Sequence, residues 1–202
     1  MDVVRRHGRA YFGINLVYYG AVGASMAYVT SHPEVQRALT EAVVLSLAQG
    51  PMATVADAYR EGNVLQATLF TFSFNFFAGS LLVLLLPSLL MPFAGLPIGL
   101  VRAVLWGLLL APTTPELQAA MIPHSLTLLI EGQGYVLTLL AVWVHGRAFT
   151  SPSSVGASSW KEGYLLGLRR AGMVMLLAAL TLTVAAVYES LEVIYLVPLL
   201  LK

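Results

Sequence analysis

The chain has 202 residues, 58% of them hydrophobic and only 10% charged, with a formal net charge of +1. Soluble domains carry about 25% charged residues, so an ordinary water-soluble globule is excluded, and no strongly basic field argues for nucleic acid. The absence of cysteine removes disulfides, thiol catalysis and thiolate metal sites.

Crossing the hydrocarbon of a bilayer takes about 20 apolar residues. Residues 11–28, 64–90, 94–111, 122–144 and 164–188 qualify. They predict an all-α chain: one integral membrane domain over residues 1–202, built as a polytopic helix bundle of about five transmembrane helices plus short interfacial helices. Arg5, Arg6 and Arg9 precede the first run. That run is long and lacks a cleavage site, so it reads as a span rather than a secretory leader.

Residues 31–63 carry Glu34, Arg37, Glu41, Asp57, Arg60 and Glu61. Leu39, Val43, Val44 and Leu47 form a helical stripe among them, broken at Gly50-Pro51. This predicts two short helices on the membrane surface or against the bundle. In the second span Thr68, Thr71, Asn75 and Gly79 recur at helical spacing, a polar and small stripe on an apolar helix. A Pro/Gly-rich turn over 91–97 leads to the third span, which holds Gly99 and Arg102.

A polar turn at 112–116 precedes the fourth span, which begins at Pro123-His124 and carries Glu131 well inside. Gly132 and Gly134 follow it and thin the helix for close contact. Residues 145–162 read as a loop, and the tail 189–202 as too short to cross alone. Thr181, Ala185, Glu189 and Glu192 share one face at the end of span five and predict an outer acidic face.

Charge placement supports five spans. Arg5, Arg6, Arg9, Arg147, Lys161, Arg169 and Arg170 fall on one side, while the 31–63 loop, Glu116, Glu189 and Glu192 fall on the other. By the positive-inside rule the N-terminus is cytoplasmic and the C-terminus outside.

Four groups could carry function: Asn75, Arg102, His124 and Glu131. A carboxylate at membrane depth costs roughly 2.5–3.5 kcal/mol on insertion scales. Spans three and four are antiparallel neighbours, so an Arg102–Glu131 pair is the simplest compensation. Asn75 suits interhelical hydrogen bonding, worth about 0.6 kcal/mol. His124, in a first helical turn behind Pro123, is expected as neutral imidazole. It shares a face with Glu131, which admits a weaker reading as an acid–base pair. One histidine near one carboxylate is too few ligands for a metal. Ser125 cannot face His124 on a helix, no phosphate loop occurs, and neither metal nor cofactor is expected.

The run from Phe72 to Gly79 with its asparagine, the glycine-bearing Pro97-Ile98-Gly99, and Ile122-Pro123-His124 with an acid downstream resemble the stage II sporulation protein M (SpoIIM) family of integral membrane proteins. The resemblance covers about residues 62–192 and matches Asn75, Gly79, Gly99, Pro123, His124 and Glu131. Ser125 stands where the family pattern has glycine, and the acid comes later. The resemblance implies a non-enzymatic scaffold that recruits partner proteins at the prokaryotic cytoplasmic membrane. The expected partners are the lipid bilayer and other membrane or envelope proteins, with cell-wall hydrolases or an ATPase as candidates, in a homo- or hetero-oligomer. The alternative is a transport protein or permease subunit working with a separate ATPase. A sporulation role does not follow.

Overall fold

The computed structural model describes residues 2–47 and 51–201, and the described secondary structure is helical throughout. In chain order the helices are α1 (Asp2–Arg6), α2 (Gly8–Ser31), α3 (Pro33–Leu47), α4 (Pro51–Arg60), α5 (Val64–Leu90), α6 (Gly95–Leu110), α7 (Pro115–Thr150) and α8 (Trp160–Leu200). Gly50, half of the expected break between α3 and α4, lies outside the described residues.

Among the described residues four helices are long and apolar enough to cross a membrane: α2, α5, α7 and α8. The chain is thus compatible with a multi-pass membrane protein. The expected third span is real as a helix but has 16 residues, about 24 Å at 1.5 Å per residue. It falls short of the length of the other four and packs chiefly against α2.

The organising helix is α7. Of its most apolar 18-residue window 72% is buried, against 22% for α2, 33% for α5 and 39% for α8. Its most extensive partner is α8. Between them Leu140, Ala141, Val142, Val144, Ala171, Val174 and Ala178 are buried in one core. On the outer helices Leu16, Leu65, Leu69, Leu82, Leu176 and Leu180 are exposed, which is the distribution of a bundle with lipid rather than water around it.

Three boundaries differ from the sequence expectation. Helix α7 begins at Pro115 and not at 122, because Thr114 caps it. The Thr114 hydroxyl accepts from the Leu117 N–H at 3.3 Å, proline occupies the first turn, and Glu116 sits at the positive end of the dipole. The polar turn is therefore a helix start, Pro123 lies inside the helix, and His124 is far from any helix N-terminus. The same helix runs on to Thr150, so His145 is not in a loop but fully buried within α7. Finally, the tail continues α8 to Leu200. Glu192 has no exposed surface, so the expected outer acidic face is inside the bundle at that residue.

Helix α5 departs from α geometry over Phe74–Leu85, a π-helical stretch of 12 residues, and α8 does so over Glu192–Leu196. Such widened turns are rare and concentrate at functional sites.

Candidate functional site

On α7, His124, Thr127, Glu131 and Tyr135 follow at helical spacing and project to one side. Facing them are Thr71 and Asn75 from α5, Arg102 and Trp106 from α6, Glu189 from α8 and Tyr59 from α4. With His124, Thr127 and Glu131 they line a cavity of about 510 Å³ in the bundle, and Tyr135 stands outside that lining, under Arg102. Residues of α3 and α4, among them Val55 and Ala56, close it on a further side.

The Arg102 guanidinium has neighbours of different chemistry, a carboxylate and two aromatic rings among them. Its Nη2 lies 3.4 Å from Glu131 Oε1. Its central carbon stands 3.8 Å from the Tyr135 ring centroid and 5.0 Å from that of Trp106, cation–π contacts that strengthen when water is excluded. Glu131 is 5% exposed, so without Arg102 its charge would be buried alone. Glu189 stands beside Glu131. Its Oε2, like Arg102 Nε, is buried with no hydrogen-bond partner.

His124 does not pair with Glu131. Its Nδ1 is 2.9 Å from Glu192 Oε1, and the Thr127 hydroxyl donates to the other oxygen of the same carboxyl. Glu192 is thus fully engaged while Glu189 is not. The Thr127 hydroxyl thus meets Glu192 and not His124. His124 also borders a second, apolar cavity of about 220 Å³ with Leu117 and Val197.

The far end of the site rests on Tyr135, whose hydroxyl donates to Asn75 Oδ1 at 2.9 Å. Gly79 makes this possible, because a Cβ there would sit 2.8 Å from that hydroxyl. Near α4 the Tyr59 hydroxyl lies 2.8 Å from Thr71 Oγ1. Burial, reinforced by Glu189, pushes the Tyr59 phenol up to about 12, so it stays a neutral hydrogen-bonding group.

The structure therefore brings Asn75, Arg102, His124, Glu131 and Glu189 to one cavity, with Glu192 behind His124. Gly99, Gly132 and Gly134 are elsewhere. They admit Leu139, Tyr19 and Leu182 respectively to close helix contacts, and the Pro123 carbonyl accepts from the Tyr188 hydroxyl at 3.2 Å.

Sequence reasoning missed Tyr135, Tyr59 and Thr127. Tyr135 comes four residues after Glu131, and that spacing was the available signal. It also missed a polar cluster between α2 and α7, where Gln133 meets Tyr11 at 2.6 Å and Asn15 at 2.6 Å. Among the described residues no group of three or more histidine and acidic side chains is disposed to hold a metal ion. No protein-family model matches the chain, and neither a curated protein nor a solved structure matches it.

Proposed function

We propose that this chain is a multi-pass membrane transport protein, or the membrane subunit of one, that binds a small polar solute in the Arg102–Glu131–Glu189 cavity without carrying out chemistry on it. The observation that carries the reading is the convergence of Arg102, Glu131 and Glu189 on one cavity, two carboxyls against one guanidinium. A second carboxyl beside a buried ion pair is left without a cation of its own, which marks a place for a ligand or water. A packing device needs no such cavity. Ionisable groups at membrane depth mark solute and proton paths, and the cluster holds three carboxyls against one guanidinium and one imidazole. That excess lets it take up a proton or a cationic group beside an anionic group on Arg102.

The test is uptake into proteoliposomes of a panel of labelled amino acids, small carboxylates and simple anions. One class is expected to enter with wild-type protein and to lose uptake by about tenfold or more in Arg102→Gln and Glu189→Gln, an effect of the size of one charge-assisted bond. Uptake unchanged in both variants contradicts the reading.

A second reading, a recruitment scaffold similar to the stage II sporulation protein M family in the prokaryotic cytoplasmic membrane, is favoured by one observation. Several residues that carry the resemblance serve packing: Gly79 against Tyr135, Gly99 against Leu139. Crosslinking in cells distinguishes the two, since a scaffold retains a defined partner, a cell-wall hydrolase or an ATPase, after Arg102→Gln.

A further inference from the structure

The opposite end of the bundle holds a second site. Arg5 and Arg6 of α1, Arg9 of α2 and Arg147 of α7 surround a cavity of about 710 Å³, with Ala10 and Trp143 at its inner edge. No acidic side chain among the described residues lines it. Among the described residues none of the four arginines has a carboxylate within ion-pair distance, since the ion pairs there involve Arg60, Arg102 and His124. The potential is felt by a neighbour: burial, then the charges of Arg170, Arg147 and Arg6, lowers the pKa of His7 from its ordinary value.

Ala10 and Trp143 also border a different cavity. It has about 310 Å³ and is lined by Gly13, Ile14 and Val17 of α2, Leu96 and Leu100 of α6, and Leu139 of α7. It follows α2 from Ala10 to Tyr18, about 12 Å along the helix axis. An apolar crevice thus descends from a basic pocket in the direction an acyl chain takes in a bilayer. The charge at its mouth decides what would fill it. A second protein helix would satisfy the crevice but leave four arginines unmatched, whereas a phospholipid with net negative charge satisfies both.

We propose that this end of the bundle is a binding site for an anionic phospholipid, its phosphate held by Arg5, Arg6, Arg9 and Arg147 and one acyl chain lying in the α2–α6–α7 crevice past Gly13. The site is remote from the Arg102 cavity, and it stands whether or not the chain transports anything. Gly13 gives the decisive variant. A Cβ built there meets nothing within 4 Å, so a side chain at this position starts into open space beside the crevice, and Gly13→Phe supplies a ring to occupy it while removing a helix-weakening glycine.

The experiment is native mass spectrometry of delipidated full-length protein given equal amounts of dioleoyl phosphatidylglycerol and dioleoyl phosphatidylcholine. Wild type is expected to retain phosphatidylglycerol by about tenfold or more over phosphatidylcholine, the preference that several basic groups near a phosphate supply. Arg9→Gln and Arg147→Gln should each lower that preference by about fivefold. Gly13→Phe should lower retention of phosphatidylglycerol, while Arg37→Gln, on α3, should change nothing. Circular dichroism establishes that each variant is folded, and the two single arginine variants carry the test if Gly13→Phe is not. Equal retention of the two lipids by wild type overturns the proposal. So does displacement by millimolar inorganic phosphate, which would make this a free-anion site. Undiminished retention in folded Gly13→Phe would reduce the effect to surface charge and also overturn it.

Discussion

Arg102 and Glu131 illustrate how a charge survives in a bundle poor in water. The carboxylate is nearly enclosed, and the guanidinium answers it at 3.4 Å while its face rests on Tyr135. Breaking such a pair strands a charge at a cost of about 3–5 kcal/mol, whereas replacing both partners with apolar groups of similar volume is close to neutral. Arg102→Met should therefore lower thermal stability in detergent sharply, and Arg102→Met with Glu131→Leu should recover most of it. A double variant no better than the single would show that the two do not depend on each other. A second residue-scale prediction concerns Gly79. Gly79→Ala forces the Tyr135 hydroxyl from Asn75 and should cost about 1–3 kcal/mol, the penalty of a buried polar group left unpaired. In a Tyr135→Phe background, where the hydroxyl is gone, Gly79→Ala should cost markedly less. Equal costs in the two backgrounds would contradict the packing argument.

At the scale of elements, how far sequence carried depends on the kind of signal. The apolar runs of α2, α5, α7 and α8 are long, so their existence was legible; so was the Arg102–Glu131 proximity, because adjacent antiparallel helices place groups of similar depth together. The start of α7 was not. Pro112-Thr113-Thr114-Pro115-Glu116 has the composition of a turn, and only the Thr114 hydroxyl on the Leu117 N–H reveals a cap. Thr114→Ala should destabilise the protein by about 1 kcal/mol, measured by thermal unfolding, while Thr114→Ser should not; a neutral Thr114→Ala would deny the cap its role. The inward turn of Glu192 was illegible for a different reason. Periodicity placed Glu189 and Glu192 on one face but could not say that α8 continues past them, which encloses that face in protein. The π-helical stretches of α5 and α8 shift residue phase along the helix, a change no 3.6-residue pattern discloses. Tyr59 reaches the site from α4, across a connection that composition marks only as polar.

For the whole molecule, the two ends differ in their balance of charge. Arg5, Arg6, Arg9 and Arg147 gather around one pocket, while Glu34, Glu41 and Glu61 belong to the α3–α4 segment at the other end of α2. The orientation we propose from the positive-inside rule puts the basic end in the cytoplasm. Because the chain has no cysteine, single substitutions report sidedness directly: Glu61→Cys should react with an impermeant thiol reagent in intact cells, and Ser154→Cys only after lysis. The reverse pattern would invert the orientation. The polar cavity lies toward the acidic end, beneath α3 and α4, and the proposed lipid crevice toward the basic end. The central claim is that the Arg102–Glu131–Glu189 cavity is a solute site rather than a packing detail, and solute-dependent stabilisation of the purified protein tests it most directly. The account predicts that one class among amino acids, small carboxylates and simple anions raises the unfolding temperature of wild type by several degrees and has no such effect on a folded Arg102→Gln protein. Equal shifts in both proteins, or none in wild type, would contradict it.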